Sequence, residues 1–208
     1  MSRCALCGAR AQYRDRETGQ HVCLEHARLA VVAASQRDAG SPLSIREATP
    51  ADHPRIEELV LYCWDETIVD CFDRRYDVMA CPAFLACDAG KIVGVASFAI
   101  EEAWNAAVLV MLHVLPEHQG RGGGRSLVQA VCNEARERGL SRVIVATTND
   151  DLPALSLYQR CGFHVTGIEA GRVAQDHARE GRLAECALAG FAGIPVRDEV
   201  RLEIKFPG

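Results

Sequence analysis

Apolar residues along the chain fall into short runs of two periods, and their order predicts an α/β domain with a mixed sheet. Residues 43–48 read as a strand. Thr49, Pro50 and Asp52 then make a helix start, with Thr49 as N-cap, Pro50 at N1 and Asp52 at N3, and Ile56, Leu59, Val60 and Cys63 share the helix's inner face. Residues 83–87 and 92–100 are apolar runs split by Asp88-Ala89-Gly90-Lys91, a hairpin signature, and 106–115 is a third, longer strand. The spacing of Leu127, Val128, Val131, Cys132 and Ala135 predicts an amphipathic helix over 125–138, with Gly139 at C′. Arg142–Thr148 reads as a buried strand, Leu152–Arg160 as a short helix closing on Gly162, and 163–169 as another strand. Residues 199–206 alternate, with Val200, Leu202, Ile204 and Phe206 facing inward and Glu199, Arg201, Glu203 and Lys205 outward. Residues 172–191 are polar and alanine-rich without a firm period, and are expected to form a helical or mobile excursion.

Composition adds limits to this picture. At 208 residues, 49% hydrophobic and 25% charged, the chain has room for one full core and one appendage. The longest apolar run is 106–112, far short of the 18 or so residues that a membrane helix needs, and the first residues carry no signal-peptide pattern. The expectation is a cytoplasmic protein with no membrane partner, monomeric or homodimeric. A net charge of −5 gives no electrostatic support for gripping nucleic acid.

Three of the ten cysteines cluster near the start. Cys4 and Cys7 form a C-x-x-C pair, Cys23 and His26 a C-x-x-H pair, with fifteen residues between them. That is the spacing of a structural zinc site: two thiolates converge at a tight turn, and a second pair opening a helix completes the tetrahedron. Residues 13–16 and 20–23 flank Glu17-Thr18-Gly19 as a hairpin, and His21 is a rival fourth ligand. Some thirty residues bury too little core to fold without such a staple. Residues 1–34 are therefore expected to be a small zinc finger of treble-clef or ribbon-like form, with 35–42 as linker and 43–208 as the main domain. The finger's slight positive surplus suits a structural role or docking to a protein partner.

The sharpest chemical feature is Gln119-Gly120-Arg121-Gly122-Gly123-Gly124-Arg125. Glycines at a helix start weaken the helix by roughly 0.5–1 kcal/mol each relative to Ala, so the bare backbone must serve something else. Free N–H groups at a helix N-terminus cradle a phosphate or pyrophosphate, and missing side chains let it approach. The loop is neither a Walker motif nor a dinucleotide-binding fingerprint.

This segment resembles the Q/R-x-x-G-x-G/A loop of the GNAT superfamily of N-acetyltransferases. Leu112-His113-Val114-Leu115-Pro116-Glu117 is similar to that family's fourth strand and its exit, and Leu157-Tyr158-Gln159-Arg160-Cys161-Gly162-Phe163 to its L-Y-x-x-x-G-F. The resemblance covers most of 43–208 and implies a mixed, splayed β-sheet flanked by helices. It implies acetyl-CoA as co-substrate, held by Leu112, His113 and Val114, by Gln119, Gly120, Arg121, Gly122, Gly123, Gly124 and Arg125, and by Asn149, Asp151 and Tyr158. Tyr158 would be the general acid toward the departing thiolate after direct attack by an amine in a ternary complex. The acceptor would be a small-molecule or protein amine. Three departures stand out: Asp151 where many members carry Asn, Gly123 where a larger residue is usual, and Val108 and Ala146 where some relatives carry a catalytic Glu. His113, Glu101 and Glu102 are candidates for the base, His113 foremost. A second reading makes the domain an acetyl-CoA sensor whose zinc finger docks a protein partner.

Overall fold

The computed structural model describes residues 13–14, 21–22, 42–64, 66–179 and 190–207. Strands β1 (Tyr13–Arg14) and β2 (His21–Val22) pair antiparallel, Tyr13 opposite Val22 and Arg14 opposite His21, as the sequence predicts for the N-terminal hairpin. The expected ligands Cys4, Cys7, Cys23 and His26 lie outside the described residues, as does the linker up to residue 41.

The main domain begins with β3 (Ser44–Glu47) and a 3-10 turn over Pro50–Asp52, where Asp52 accepts from the backbone and hydroxyl of Thr49, completing the predicted cap. Helix α1 (His53–Trp64) follows, burying Ile56, Leu59 and Val60. A hairpin absent from the sequence reading comes next: β4 (Ile68–Cys71) and β5 (Arg74–Asp77). Strands β6 (Ala83–Asp88), β7 (Lys91–Glu101) and β8 (Ala106–Val114) form the predicted meander. Helix α2 (Gly123–Glu137), β9 (Arg142–Thr148), α3 (Leu152–Arg160), β10 (His164–Glu169), α4 (Arg172–Arg179) and β11 (Glu199–Lys205) complete the order.

Seven strands make one sheet in the order β10-β11-β9-β8-β7-β6-β3, antiparallel throughout except for the parallel β8–β9 pair. Register assigns side chains to its two faces. Leu109, Val145 and Leu202 share one face with Val114, which sits against the start of α2. Ala99, Glu101, Ile144 and Arg201 share the other, beneath the β4–β5 hairpin, whose Tyr76 hydroxyl donates to Glu101 Oε1 at 2.9 Å. Helices α2 and α3 thus lie on one side, α1 and the hairpin on the opposite side, and a continuous core of Leu85, Val95, Leu127, Val143 and Leu202 fills the layers. Among the described residues, no helix is long and apolar enough to cross a membrane.

Candidate active site

The parallel pairing of β8 and β9 runs from Ala106 opposite Arg142 to Leu109 opposite Val145 and stops there. Beyond that point β8 stays paired to β7 and β9 to β11, so the two strands part and leave a split in the middle of the sheet. The cause is a bulge: Ser97 faces Met111 whereas Phe98 faces Leu109, so Val110 is an extra residue that bends β8 away. The facing edges of residues 111–114 and 146–148 are free of strand partners, which is what an extended ligand needs to hydrogen-bond to backbone. Leu112, His113 and Val114, the expected backbone contacts, all line this edge.

At the end of β8 the glycine loop turns into α2. Gly120 and Gly122 have φ of 78° and 83°, the left-handed region that strains any residue with a Cβ, and Gly122 is the helix N-cap. Gly123 is buried, and a Cβ there would lie 2.6 Å from Leu43 Cδ1, so a larger residue would displace the chain entering β3. The first backbone N–H groups of α2 have no intrahelical acceptor and point to the loop's open side, a ready anion site. Two loop side chains are already engaged. Gln119 Nε2 donates to Val114 O at 2.8 Å, tying the loop to β8. Arg121 makes a bidentate pair with Asp88, Nη1 to Oδ2 at 2.7 Å and Nη2 to Oδ1 at 3.1 Å, with His118 Nδ1 3.2 Å from the same carboxylate. Arg121 therefore holds the loop onto the β6–β7 turn, which the sequence reading did not foresee, and Arg125 is left as the exposed cation of the segment.

Tyr158 stands on α3, on the α2 side of the sheet. It is 5% exposed and packs 5.7 Å from Phe163 in a tilted ring pair. Its hydroxyl makes no hydrogen bond among the described residues. Burial, helped by the nearby Asp151 carboxylate, pushes its pKa well above that of an ordinary tyrosine, so it stays protonated.

His113 is on the opposite side. Its register partner is Val95, which shares a face with Glu101. Its Nε2 is buried without a hydrogen-bond partner, and burial lowers its pKa, partly offset by Glu117. A neutral imidazole with an open nitrogen is the state a proton acceptor needs. Glu101 is spent elsewhere, accepting from Tyr76 and pairing with Arg74 at 3.2 Å, and Glu102 is exposed in the turn before β8, at the end where the strands are still paired.

Asn149 and Asp151 have local duties. Asn149 Nδ2 donates to Pro195 O at 2.9 Å, and its Oδ1 accepts from the backbone of Arg197 and Asp198, fixing the chain that enters β11. Asp151 caps α3 by accepting from Ala154 N at 3.1 Å, a role an aspartate fills as well as an asparagine. Asp150 accepts from Thr148 and from the Phe191 backbone, closing the same corner.

The face that carries Glu101 and Arg201 is covered by the β4–β5 hairpin. The β4–β5 turn places Phe72 edge-on to Trp104, 6.2 Å between centroids, with the Arg201 guanidinium 5.3 Å above the Phe72 ring. Asp73 pairs with Arg172 and with Arg201. Glu199, on the same face as Arg201 and opposite Thr148 on β9, is buried. Neither the hairpin nor Glu199 was marked by sequence; the alternation of 199–206 would have put Glu199 in solvent. Among the described residues, no group of three His, Cys, Asp or Glu side chains is placed to hold a metal.

The sequence model of the acetyltransferase (GNAT) family matches residues 44–163. The L-methionine sulfoximine/L-methionine sulfone acetyltransferase of Pseudomonas aeruginosa is 32% identical, over 60% of this chain and 81% of its own length. The L-amino acid N-acyltransferase MnaT of Escherichia coli is 30% identical, with the same coverage. A GNAT family acetyltransferase from Elizabethkingia anophelis with acetyl-CoA bound shares the fold at a TM-score of 0.58 and 19% identity, over 80% of this chain and 99% of its own.

Proposed function

The chain belongs to the acetyltransferase (GNAT) family, and from that premise we infer that it moves an acetyl group from acetyl-CoA to a primary amine by direct attack in a ternary complex. The observation that carries the reading is the split between β8 and β9; to it we assign Tyr158 as the acid and His113 as the base. The α2 N-terminus and the backbone of Gly120, Gly122, Gly123 and Gly124, with Arg125, take the pyrophosphate, and the free edge of residues 112–114 takes the pantetheine and the thioester carbonyl. Gln119, Arg121, Asn149 and Asp151 hold the shape of this cradle through the contacts described above.

The amine approaches from the face that the β4–β5 hairpin covers. His113 accepts the ammonium proton, the freed nitrogen attacks the thioester carbon, the C–S bond breaks as the Tyr158 phenol gives its proton to the departing sulfur, and the second proton lost from the nitrogen returns through solvent to the phenolate. Acid and base on opposite faces keep the two proton transfers from short-circuiting. The acceptor proposed is a small-molecule amine. Five free cysteines among the described residues fit a cytoplasmic location.

For the N-terminal segment we propose one structural zinc ion held by Cys4, Cys7, Cys23 and His26. Three thiolates and an imidazole suit zinc, and the β1–β2 hairpin between the two ligand pairs is the one part of that reading within the described residues. A protein partner for this segment belongs to the same proposal.

Tyr158→Phe tests the mechanism. CoA release with an accepted amine should fall by roughly 10²–10⁴, the usual worth of a general acid, while calorimetry shows acetyl-CoA affinity unchanged. Undiminished turnover would remove Tyr158 from the chemistry.

A further inference from the structure

The acetyltransferase reading leaves the amine unspecified, and Glu199 bears on it. This residue is only 6% exposed although strand alternation points it away from Val200 and Leu202. Its partner across the ladder is Thr148, the last residue of β9 on the amine side of the split, so its carboxylate starts one strand spacing, about 5 Å, from the opening. The Cys71 thiol of the hairpin feels its charge and is pushed up to about 12, chiefly by burial and next by Glu199. Oε1 accepts from Arg201 Nε at 2.6 Å; Oε2 has no partner among the described residues. That second oxygen is left to accept from an incoming donor.

The surroundings choose that donor. Arg201 is shared among Glu199, Glu169 at 3.0 Å and Asp73 at 3.4 Å, and Arg172 is shared between Asp73 and Asp176. Three carboxylates, Glu199, Glu169 and Asp73, thus gather on Arg201, and Arg172 reaches Asp73 of the three. A zwitterionic amino acid would have to set its own carboxylate among those three, where Arg201 and Arg172 are already paired. A cationic amine without a carboxylate meets that group of carboxylates beneath the β4–β5 hairpin.

Resting on the acetyltransferase reading, we propose that Glu199 binds the acceptor as a cation and that the acceptor class is a di- or polyamine. One nitrogen enters the split to be acetylated while a second ammonium rests on Glu199 Oε2. Glu199 binds and His113 removes the proton, so neutralising Glu199 moves KM rather than kcat.

The test uses the full chain at saturating acetyl-CoA with spermidine, L-methionine sulfoximine and n-butylamine as acceptors, beside calorimetric titration of spermidine into the CoA-loaded protein. The kcat/KM for spermidine should exceed that for either alternative by at least about tenfold, and E199Q should raise KM and Kd for spermidine by about as much, the size of one lost charge-assisted contact. In that variant kcat and acetyl-CoA affinity stay near wild type, and E199D recovers part of the loss. The wild-type KM for spermidine should also climb more steeply with salt than that for n-butylamine; a flat response overturns the proposal even if E199Q does not fold. Preference for L-methionine sulfoximine or n-butylamine, or an unchanged spermidine KM in E199Q, overturns it and leaves the acetyltransferase standing. Glu199-dependent spermidine binding with no transfer to any of the three keeps the cation site and overturns the transferase.

Discussion

Burial keeps Tyr158 and His113 neutral by opposite routes, raising the phenol and lowering the imidazole. For the imidazole this has a visible pH consequence. A histidine whose folded pKa is lowered contributes stability that is fully present above about 6.5, its unfolded value, and is lost as pH falls from there through the folded value. The same window governs chemistry, because a protonated His113 cannot accept the ammonium proton. The kcat of the wild-type enzyme should therefore show an acid limb below about 6.5, and His113→Gln should erase that limb and lower kcat by roughly 10²-fold at neutral pH. Stopped-time CoA release across pH 5–9 with saturating amine checks it, and melting curves over the same range should show a smaller acid loss in the variant. A persistent limb in H113Q would assign the titration to another group. Glu101, on the same face, is engaged by Tyr76 and Arg74.

At the level of elements, the loop before α2 depends on a contact outside itself. Its glycines supply conformational freedom at Gly120 and Gly122, and the Arg121–Asp88 pair takes that freedom away again. The Arg121 guanidinium holds the Asp88 carboxyl below the usual carboxylate range, so the latch stays ionised through neutral and mildly acid pH. Asp88→Asn should weaken acetyl-CoA binding about tenfold, as one charge-assisted contact is lost, with kcat at saturation near wild type; calorimetry beside steady-state rates checks the pair of outcomes. Most elements of this frame were legible in sequence because burial is one-sided, as in α2, or nearly complete, as in β8. The β4–β5 hairpin was not, because its turn is Phe72-Asp73 rather than an asparagine-glycine pair. Both residues take left-handed φ, 53° and 59°, against their own preference, held by Trp104, Arg172 and Arg201, which come from distant parts of the chain. Of the site, the glycine loop and Tyr158 were readable because their spacing is local. Glu199 and Asp88 were not, since strand alternation and turn composition each gave them an ordinary explanation, and only the register of β11 on β9 and the meeting of two loops give them another.

Considered whole, the molecule joins two sources of stability that should separate under one reagent. The main domain closes its own core from Leu43 to Leu202, with no metal cluster among its described residues. The first thirty or so residues are too few to bury a comparable core and, in the proposed reading, gain their folding free energy from zinc, on the order of 10–16 kcal/mol apparent. Stripping the full chain with a strong chelator at neutral pH should then release one zinc per chain, measured by native mass spectrometry, and abolish a separate unfolding transition of the N-terminal segment. Acetyl-CoA affinity should stay within about twofold, because a ligand stabilises only the unit it binds. Loss of acetyl-CoA binding on chelation would instead mean that the zinc-bearing segment buttresses the cradle, the entry to β3 being the point of contact: Leu43 already packs against Gly123 at the start of α2, so a disturbance carried through the linker would reach the pyrophosphate site first.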